Sequence, residues 1–347
     1  YTYNAFHGAL AYLGALHGHT LVVDSLGDAW VREQAQGVLR EASAALQAEH
    51  GFAADEMARW IEGVVAQTDN PALGDTVARF GADPYRKLGR ADRLIGPLLL
   101  ARKHRIETPH LIRAIAAALL YRPASDEGAA RVQRLVQTLG TGEALRTIAG
   151  LEKGEEDLEE AVAAAYTDLE AEVYWADLAC RAGALAFEYE QTFHGCGQCS
   201  LAAIMETLSQ VDEARYQAAF DAATAFAGGL GLAGDATCGA LVGSTLAFGL
   251  LYPRRRAHFG GDRDNKYRAY EMAQRLRQRY LDAYGGVRCH EVHRAVFGRA
   301  YDLRDAEERV AFEAAGAHDD KCTGVVARAV QWAMEIIGEE QRKSAQG

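Results

Sequence analysis

No cysteine occurs in the first 179 residues of this 347-residue chain; Cys180, Cys196, Cys199, Cys238, Cys289 and Cys322 all follow. Thiol chemistry is thereby excluded from the first half and confined to the second, and the asymmetry is a domain signal in its own right. Long apolar runs are missing too. Stretches such as 241–252 are short and glycine-broken, which excludes a membrane-spanning helix. There is no excess of basic charge: the net charge of −11 argues against a nucleic-acid partner, which needs a basic face. No signal-peptide pattern is present, so a cytoplasmic setting is expected, and Tyr1 is not a methionine, so the natural start is expected upstream. Finally, no stretch alternates apolar and polar residues as a half-buried strand would, and there is no internal repeat or low-complexity linker.

What is present is helical periodicity in a chain of ordinary globular composition, 49% hydrophobic and 24% charged. Thr108-Pro109 reads as an N-cap with proline in the first turn, and Leu111, Ile112, Ile115, Ala116 and Leu119 form one stripe. A second stripe uses Val326, Val330, Ala333 and Ile337. The length implies about two domains. The expected fold is all-α, two helical domains in series over residues 1–170 and 171–347, without a Rossmann domain. The join is placed near 169–173, in what could be one continuous helix. The acidic run Glu155, Glu156, Asp157, Glu159 and Glu160 reads as a solvated helix start that complements the macrodipole.

The first residues are Asn4-Ala-Phe-His7-Gly-Ala-Leu-Ala-Tyr-Leu-Gly14. Asn4 and His7, three apart, share a helix face, where an amide and an imidazole can hold a hydroxyl or a developing alkoxide. Asn-x-x-His with Leu-Ala-Tyr-Leu-Gly resembles the polyol-specific long-chain dehydrogenases, and within them the mannitol-1-phosphate 5-dehydrogenases. The resemblance continues through Asn70-Pro71, Asp75-Thr-Val-Ala-Arg79, Arg86-Lys87-Leu88 and Asp92-Arg93-Leu94-Ile95-Gly96-Pro97, covering residues 1–168. It implies NAD-dependent, metal-free oxidation of a polyol phosphate to a ketose phosphate, mannitol 1-phosphate to fructose 6-phosphate. Asn4 and His7 would be catalytic, and Arg79 and Lys87 would bind the sugar phosphate as two cations converging on one anion. The family's lysine base and its nucleotide-binding domain would both lie upstream of Tyr1. Gly229-Leu-Gly231-Leu-Ala-Gly234 does spell G-x-G-x-x-G, but an alanine-rich helical segment precedes it instead of a strand, so it is not a dinucleotide fingerprint.

In the second half, His194-Gly-Cys196-Gly-Gln-Cys199-Ser reads as a turn, a CxxC and a helix start. A thiol there is expected to have a lowered pKa, and CxxC suits reversible disulfide formation or metal ligation. Ser200 stands where a c-type haem motif needs histidine. Cys238 follows a glycine-rich stretch, Cys289 follows Gly285-Gly-Val-Arg, and Cys322 opens the last amphipathic helix. The order Cys199, Cys238-Gly-Ala-Leu-Val-Gly243, Cys289, Cys322 resembles the redox-active family known by its cysteine pattern C_GCAxxG_C_C, over residues 172–340, with Cys196 an addition to that pattern. Two readings stay open for Cys196, Cys199, Cys238, Cys289 and Cys322: an iron–sulfur cluster or other thiolate-bound metal, or exchangeable disulfides serving an unidentified redox partner. His194, His290 and His293 are near enough in sequence to ligate or tune them. Cys180 reads as a buried structural cysteine, and Tyr252-Pro-Arg254-Arg-Arg256 as a solvated C-terminal charge cap. The whole chain then reads as a polyol-phosphate dehydrogenase's substrate half fused to a thiol module. The alternative is a stand-alone redox or metal-binding protein on a non-catalytic dehydrogenase-like scaffold.

Overall fold

The computed structural model describes residues 2–123, 125–209, 212–261 and 263–346. Among these, strand-like pairing is limited to two isolated bridges, Leu21 with Thr76 and Thr237 with Arg288. Everything else regular is helical, and the fold is all-α. Contacts divide the chain into two compact units, Tyr1–Val173 and Tyr174–Gly347, with separate hydrophobic cores. The division falls inside one long helix. No helix among the described residues is long and apolar enough to cross a membrane.

The first unit contains α1 (Thr2–Leu16), α2 (Val22–Gly27), α3 (Ala29–His50), α4 (Ala54–Thr68), α5 (Val77–Gly81), α6 (Pro84–Lys87), α7 (Ile95–Lys103), α8 (Pro109–Leu120), α9 (Glu127–Leu139), α10 (Thr141–Ala149) and the start of α11 (Glu156–Phe193). Helix α1 is the centre: Phe6 through Gly14 are all buried. Short polar side chains set the helix starts. Asp28 caps α3, Thr76 caps α5, and Asp126 caps α9 while accepting the Asp83 N–H. Helix α8 departs from expectation. Thr108 occupies the cap position but makes no side-chain cap. Instead the buried Glu41 of α3 accepts from the His110 and Leu111 N–H groups at 3.0 and 2.8 Å and pairs with His110 Nδ1 at 2.7 Å. A carboxylate there meets both orphan donors and the positive helix end.

The acidic run is not simply solvated either. Glu155 grips Arg90 through two oxygens at 2.9 and 3.0 Å, Asp157 pairs with Arg102, and the buried Glu159 accepts from Arg146. Arg90 and Arg102 lie 65 and 55 residues from their partners, whereas Arg146 comes from the preceding helix, α10.

The second unit contains the rest of α11, then α12 (Cys196–Leu208), α13 (Glu213–Ala222), α14 (Gly239–Leu251), α15 (Arg263–Tyr284), α16 (Cys289–Phe297), α17 (Ala306–Ala314) and α18 (Cys322–Gln346). Helices α12 and α14 cross where their glycines meet. A Cβ on Gly243 would lie 2.0 Å from the Gly197 carbonyl oxygen, and one on Gly239 would lie 2.4 Å from Cys196 Sγ. Only glycine permits that approach. The segment holding the G-x-G-x-x-G motif is a coil with positive φ at Gly228 through Leu232 and again at Gly234. On Gly229 a Cβ would sit 2.7 Å from Cys289 Cβ. The motif therefore serves close packing against a cysteine.

Candidate functional site

Every cysteine-bearing motif of the second unit ends at a helix start. Cys196 and Cys199 lie in the first turn of α12, Cys238 caps α14, and Cys289 and Cys322 open α16 and α18. Backbone bonds tie two of these starts together. The Cys238 N–H donates to the Val287 carbonyl at 2.8 Å, and the Cys289 N–H donates to the Ala236 carbonyl at 2.9 Å. Glu291 holds the start of α16 by accepting from the Val287 and Arg288 N–H groups.

The result is a largely apolar cavity of about 160 Å³, lined by Cys196, Cys238, Cys289 and Cys322 together with Glu190, His293, Phe312 and His318. Cys199 is not on its wall; its thiol donates to the His194 carbonyl at 3.2 Å. The sequence pattern put Cys199 in the core set and Cys196 as an addition, whereas the cavity wall is built the other way round. All six thiols are free.

Burial dominates the electrostatics. It pushes the Cys289 thiol up to about 12 and raises Cys196, Cys199, Cys238 and Cys322. Nearby Cys238 adds to the shift at Cys196, Cys289 and Cys322. The expected acidic helix-start thiol is thus overturned: desolvation outweighs the helix dipole. Cys196 and Cys322 are partly exposed as whole residues, yet both thiols follow the same rule.

A polar chain leads into this cavity. Glu190, 3% exposed, has Oε2 without a hydrogen-bond partner, and burial raises its carboxyl to about 7. Its Oε1 lies 3.8 Å from His318 Nε2, and His318 Nδ1 lies 2.7 Å from Glu313. His194, in the left-handed region at φ 59°, packs edge-on against His318 at 3.9 Å. His293 Nε2 lies 3.4 Å from Cys289 Sγ, and burial lowers this imidazole to about 4. His290 is not part of the wall. Cys180 is corrected outright. It is exposed, because the buried face of α11 runs through Trp175, Leu178, Ala179 and Ala182 and Cys180 lies off it. The Arg254 guanidinium donates to the Phe259 carbonyl, closing its own loop.

Sequence reasoning missed Glu190 and His318. Neither has a spacing signal, since α11 and a π-helical turn (Ala317–Lys321) bring them to the thiols only in three dimensions.

In the first unit His7 is buried and stacks on Phe80 at 4.5 Å. Its Nε2 lies 3.0 Å from the Thr68 hydroxyl, which itself donates to the Val64 carbonyl. Thr68 must therefore accept from His7 Nε2–H, which leaves Nδ1 with the lone pair. Desolvation lowers His7 to about 4, so the ring is neutral. Asn4, on the same helix, is exposed. Lys87 is buried with Nζ 2.5 Å from the Phe80 carbonyl, and burial followed by Arg93 and Arg86 lowers it to about 8. Arg79 is exposed, pairs with Asp75 at 2.7 Å, and sits 5.8 Å from the Phe80 ring centre. Arg79 and Lys87 thus flank Phe80 from different environments. Arg93 is the unforeseen member: it lies against the Cβ-less edge of Gly8 and acts on both His7 and Lys87.

A family model described as "Mannitol dehydrogenase C-terminal domain" matches residues 1–177. The chain belongs to that family. A second, described as "Putative redox-active protein (C_GCAxxG_C_C)", matches residues 194–336. The first match covers the unit around His7, and the second covers the four cavity cysteines. The chain is a polyol-dehydrogenase-like fusion within an oxidoreductase family.

Proposed function

We propose that the C_GCAxxG_C_C unit is an electron-transfer module whose working part is the cavity of Cys196, Cys238, Cys289 and Cys322. The observation that carries this is the convergence of four helix starts, each bearing a thiol, on one apolar space. Helix N-termini favour an anionic centre, as a thiolate-ligated iron–sulfur cluster is. The donor set fits such a cluster better than a single ion. Tetrahedral thiolate ligation at about 2.3 Å requires sulfurs crowded together. Among the described residues no three cysteine sulfurs lie within 4.8 Å of one another. The four cavity cysteines would hold the cluster, and when bound it supplies one-electron transfer. Glu190 holds a proton beside Cys199 and the cavity, His318 and Glu313 continue that chain outwards, and Phe312 and Leu303 exclude water.

A dithiol–disulfide cycle is the second reading, favoured by the position of Cys238 within electrostatic reach of the other three thiols. Anaerobic purification followed by visible absorption, iron and labile-sulfide analysis separates the two. Colour with iron and sulfide supports the cluster. A colourless, metal-free protein that exchanges two electrons per thiol pair supports the disulfide cycle. A colourless and redox-silent protein overturns both.

For the first unit we propose binding of a polyol phosphate such as mannitol 1-phosphate. Lys87 would supply the buried positive charge, the half-buried Arg93 (paired with Asp92) and the exposed Arg79 exchangeable cations, and Asn4 and neutral His7 hydroxyl contacts. Among the described residues there is no strand–helix–strand unit to hold NAD. The described residues do not themselves build a dinucleotide site, and the role proposed for them is to bind and orient the polyol phosphate. Calorimetry with mannitol 1-phosphate against mannitol tests this: K87M should abolish phosphate-dependent binding, and absence of binding by the unaltered chain overturns it.

A further inference from the structure

Outside both sites, the end of α1 and the start of α3 bring three metal-type donors together in the unit that has no cysteine. His17 and His19 flank Gly18, which turns the chain at φ 77°. The turn is held by the His19 N–H donating to the Gly14 carbonyl at 2.9 Å. His17 Nδ1 lies 2.9 Å and His19 Nε2 3.2 Å from the same oxygen, Asp28 Oδ2. Among the described residues these three alone form a His/Cys/Asp/Glu group whose donor atoms all lie within 4.8 Å.

The arrangement is preorganised. Asp28 Oδ1 accepts from the Trp30 and Val31 N–H groups at 2.9 and 3.0 Å, so capping α3 fixes the carboxylate and leaves Oδ2 for the imidazoles. His17 lies flat on the Trp30 indole, 4.7 Å between centres at 16°. The side chains keep 34%, 26% and 23% of their accessibility, which leaves room for water on an ion.

We propose that His17 Nδ1, His19 Nε2 and Asp28 Oδ2 form a binding site for a divalent transition-metal ion of the zinc, cobalt or nickel class. Two imidazoles and one carboxylate suit these ions, whereas magnesium and calcium prefer all-oxygen sets. Without an ion both ring nitrogens donate N–H to Asp28. On binding, each proton moves to the other ring nitrogen, Nε2 of His17 and Nδ1 of His19, so a neutral ring keeps its proton count. Water completes the coordination, and the ion ties the end of α1 to the start of α3. The site is independent of the thiol cavity.

Cobalt(II) titrated into the metal-stripped full chain under anaerobic conditions tests the assignment. The expected result is one equivalent with d–d absorption but no sulfur-to-metal charge-transfer band, with Trp30 emission quenched and that quenching lost in W30F. H17A and H19Q should each weaken binding at least about tenfold with far-UV circular dichroism unchanged. Since His19 does not stack on Trp30, H19Q carries the test if H17A misfolds. Binding that survives in H19Q at full affinity, binding that shows only thiolate bands, or no binding overturns the site.

Discussion

The two units handle buried polar chemistry in opposite ways. Around His7 in the first unit, burial strips protons from bases: the imidazole is held neutral and the Lys87 amine is brought towards neutrality, with Arg93 adding to both effects. Around the second unit's cavity, burial keeps protons on acids: five thiols and Glu190 all resist ionisation. Desolvation is the same force in both cases, favouring whichever form is uncharged. The first site thereby offers lone pairs and cations to a polar ligand. The second keeps its protons on thiols and a carboxyl.

The largest expected effect breaks the comparison at its base, the independence of the cores. Gly243→Val forces side-chain atoms into the Gly197 backbone, and a cost of about 3 kcal/mol or more is expected. Calorimetric melting should show the second unit's transition lowered or lost while the first unit's persists; joint collapse would refute separate cores. Next comes pH. His7 and His293 titrate near 4 when folded against 6.5 as free imidazoles. The unfolded chain therefore binds more protons in that interval, and each stabilising contribution, ~3 kcal/mol, is present above 6.5 and lost as pH falls through 4. Glu190 works the other way. Its folded value of about 7 lies above 4.5, so its contribution is present below 4.5 and lost as pH rises through 7. Urea melts between pH 4 and 7 should show acid lability in the first unit and a flatter profile in the second, where His293 and Glu190 act in opposite senses over nearly the same interval, so that E190Q uncovers the acid lability of His293.

A smaller effect sharpens the account of the first unit: E41Q should cost about 1–2 kcal/mol, because the start of α8 loses a charged cap, read as a shift in denaturation midpoint. Smallest is C180S, expected within ~0.5 kcal/mol and without effect on colour or thiol redox behaviour. A loss of either would place Cys180 in the site.

Helical class, the twofold division and the cysteine-bearing helix starts were legible because they rest on local signals: periodicity, glycine turns and thiol spacing. What escaped were groups whose role depends on packing between distant segments. Glu41 caps a helix 70 residues away, Glu190 looks like one more acid on a charged helix, and Arg93 matters because the fold brings its charge to His7 and Lys87. The acidic thiols were misjudged because the helix dipole is visible in sequence and the depth of burial is not. Cys180 was misjudged for the converse reason: an alanine-rich neighbourhood looks buried, but the helix phase turns that position outward.

That outward turn has a practical side. A maleimide fluorophore or spin label under non-denaturing conditions should attach to Cys180 well before the buried thiols react, since reaction needs an accessible sulfur. The protein thus carries its own handle for surface immobilisation or distance spectroscopy. Any count of reactive thiols in the native state should include one that reports on nothing but the outside of the helix.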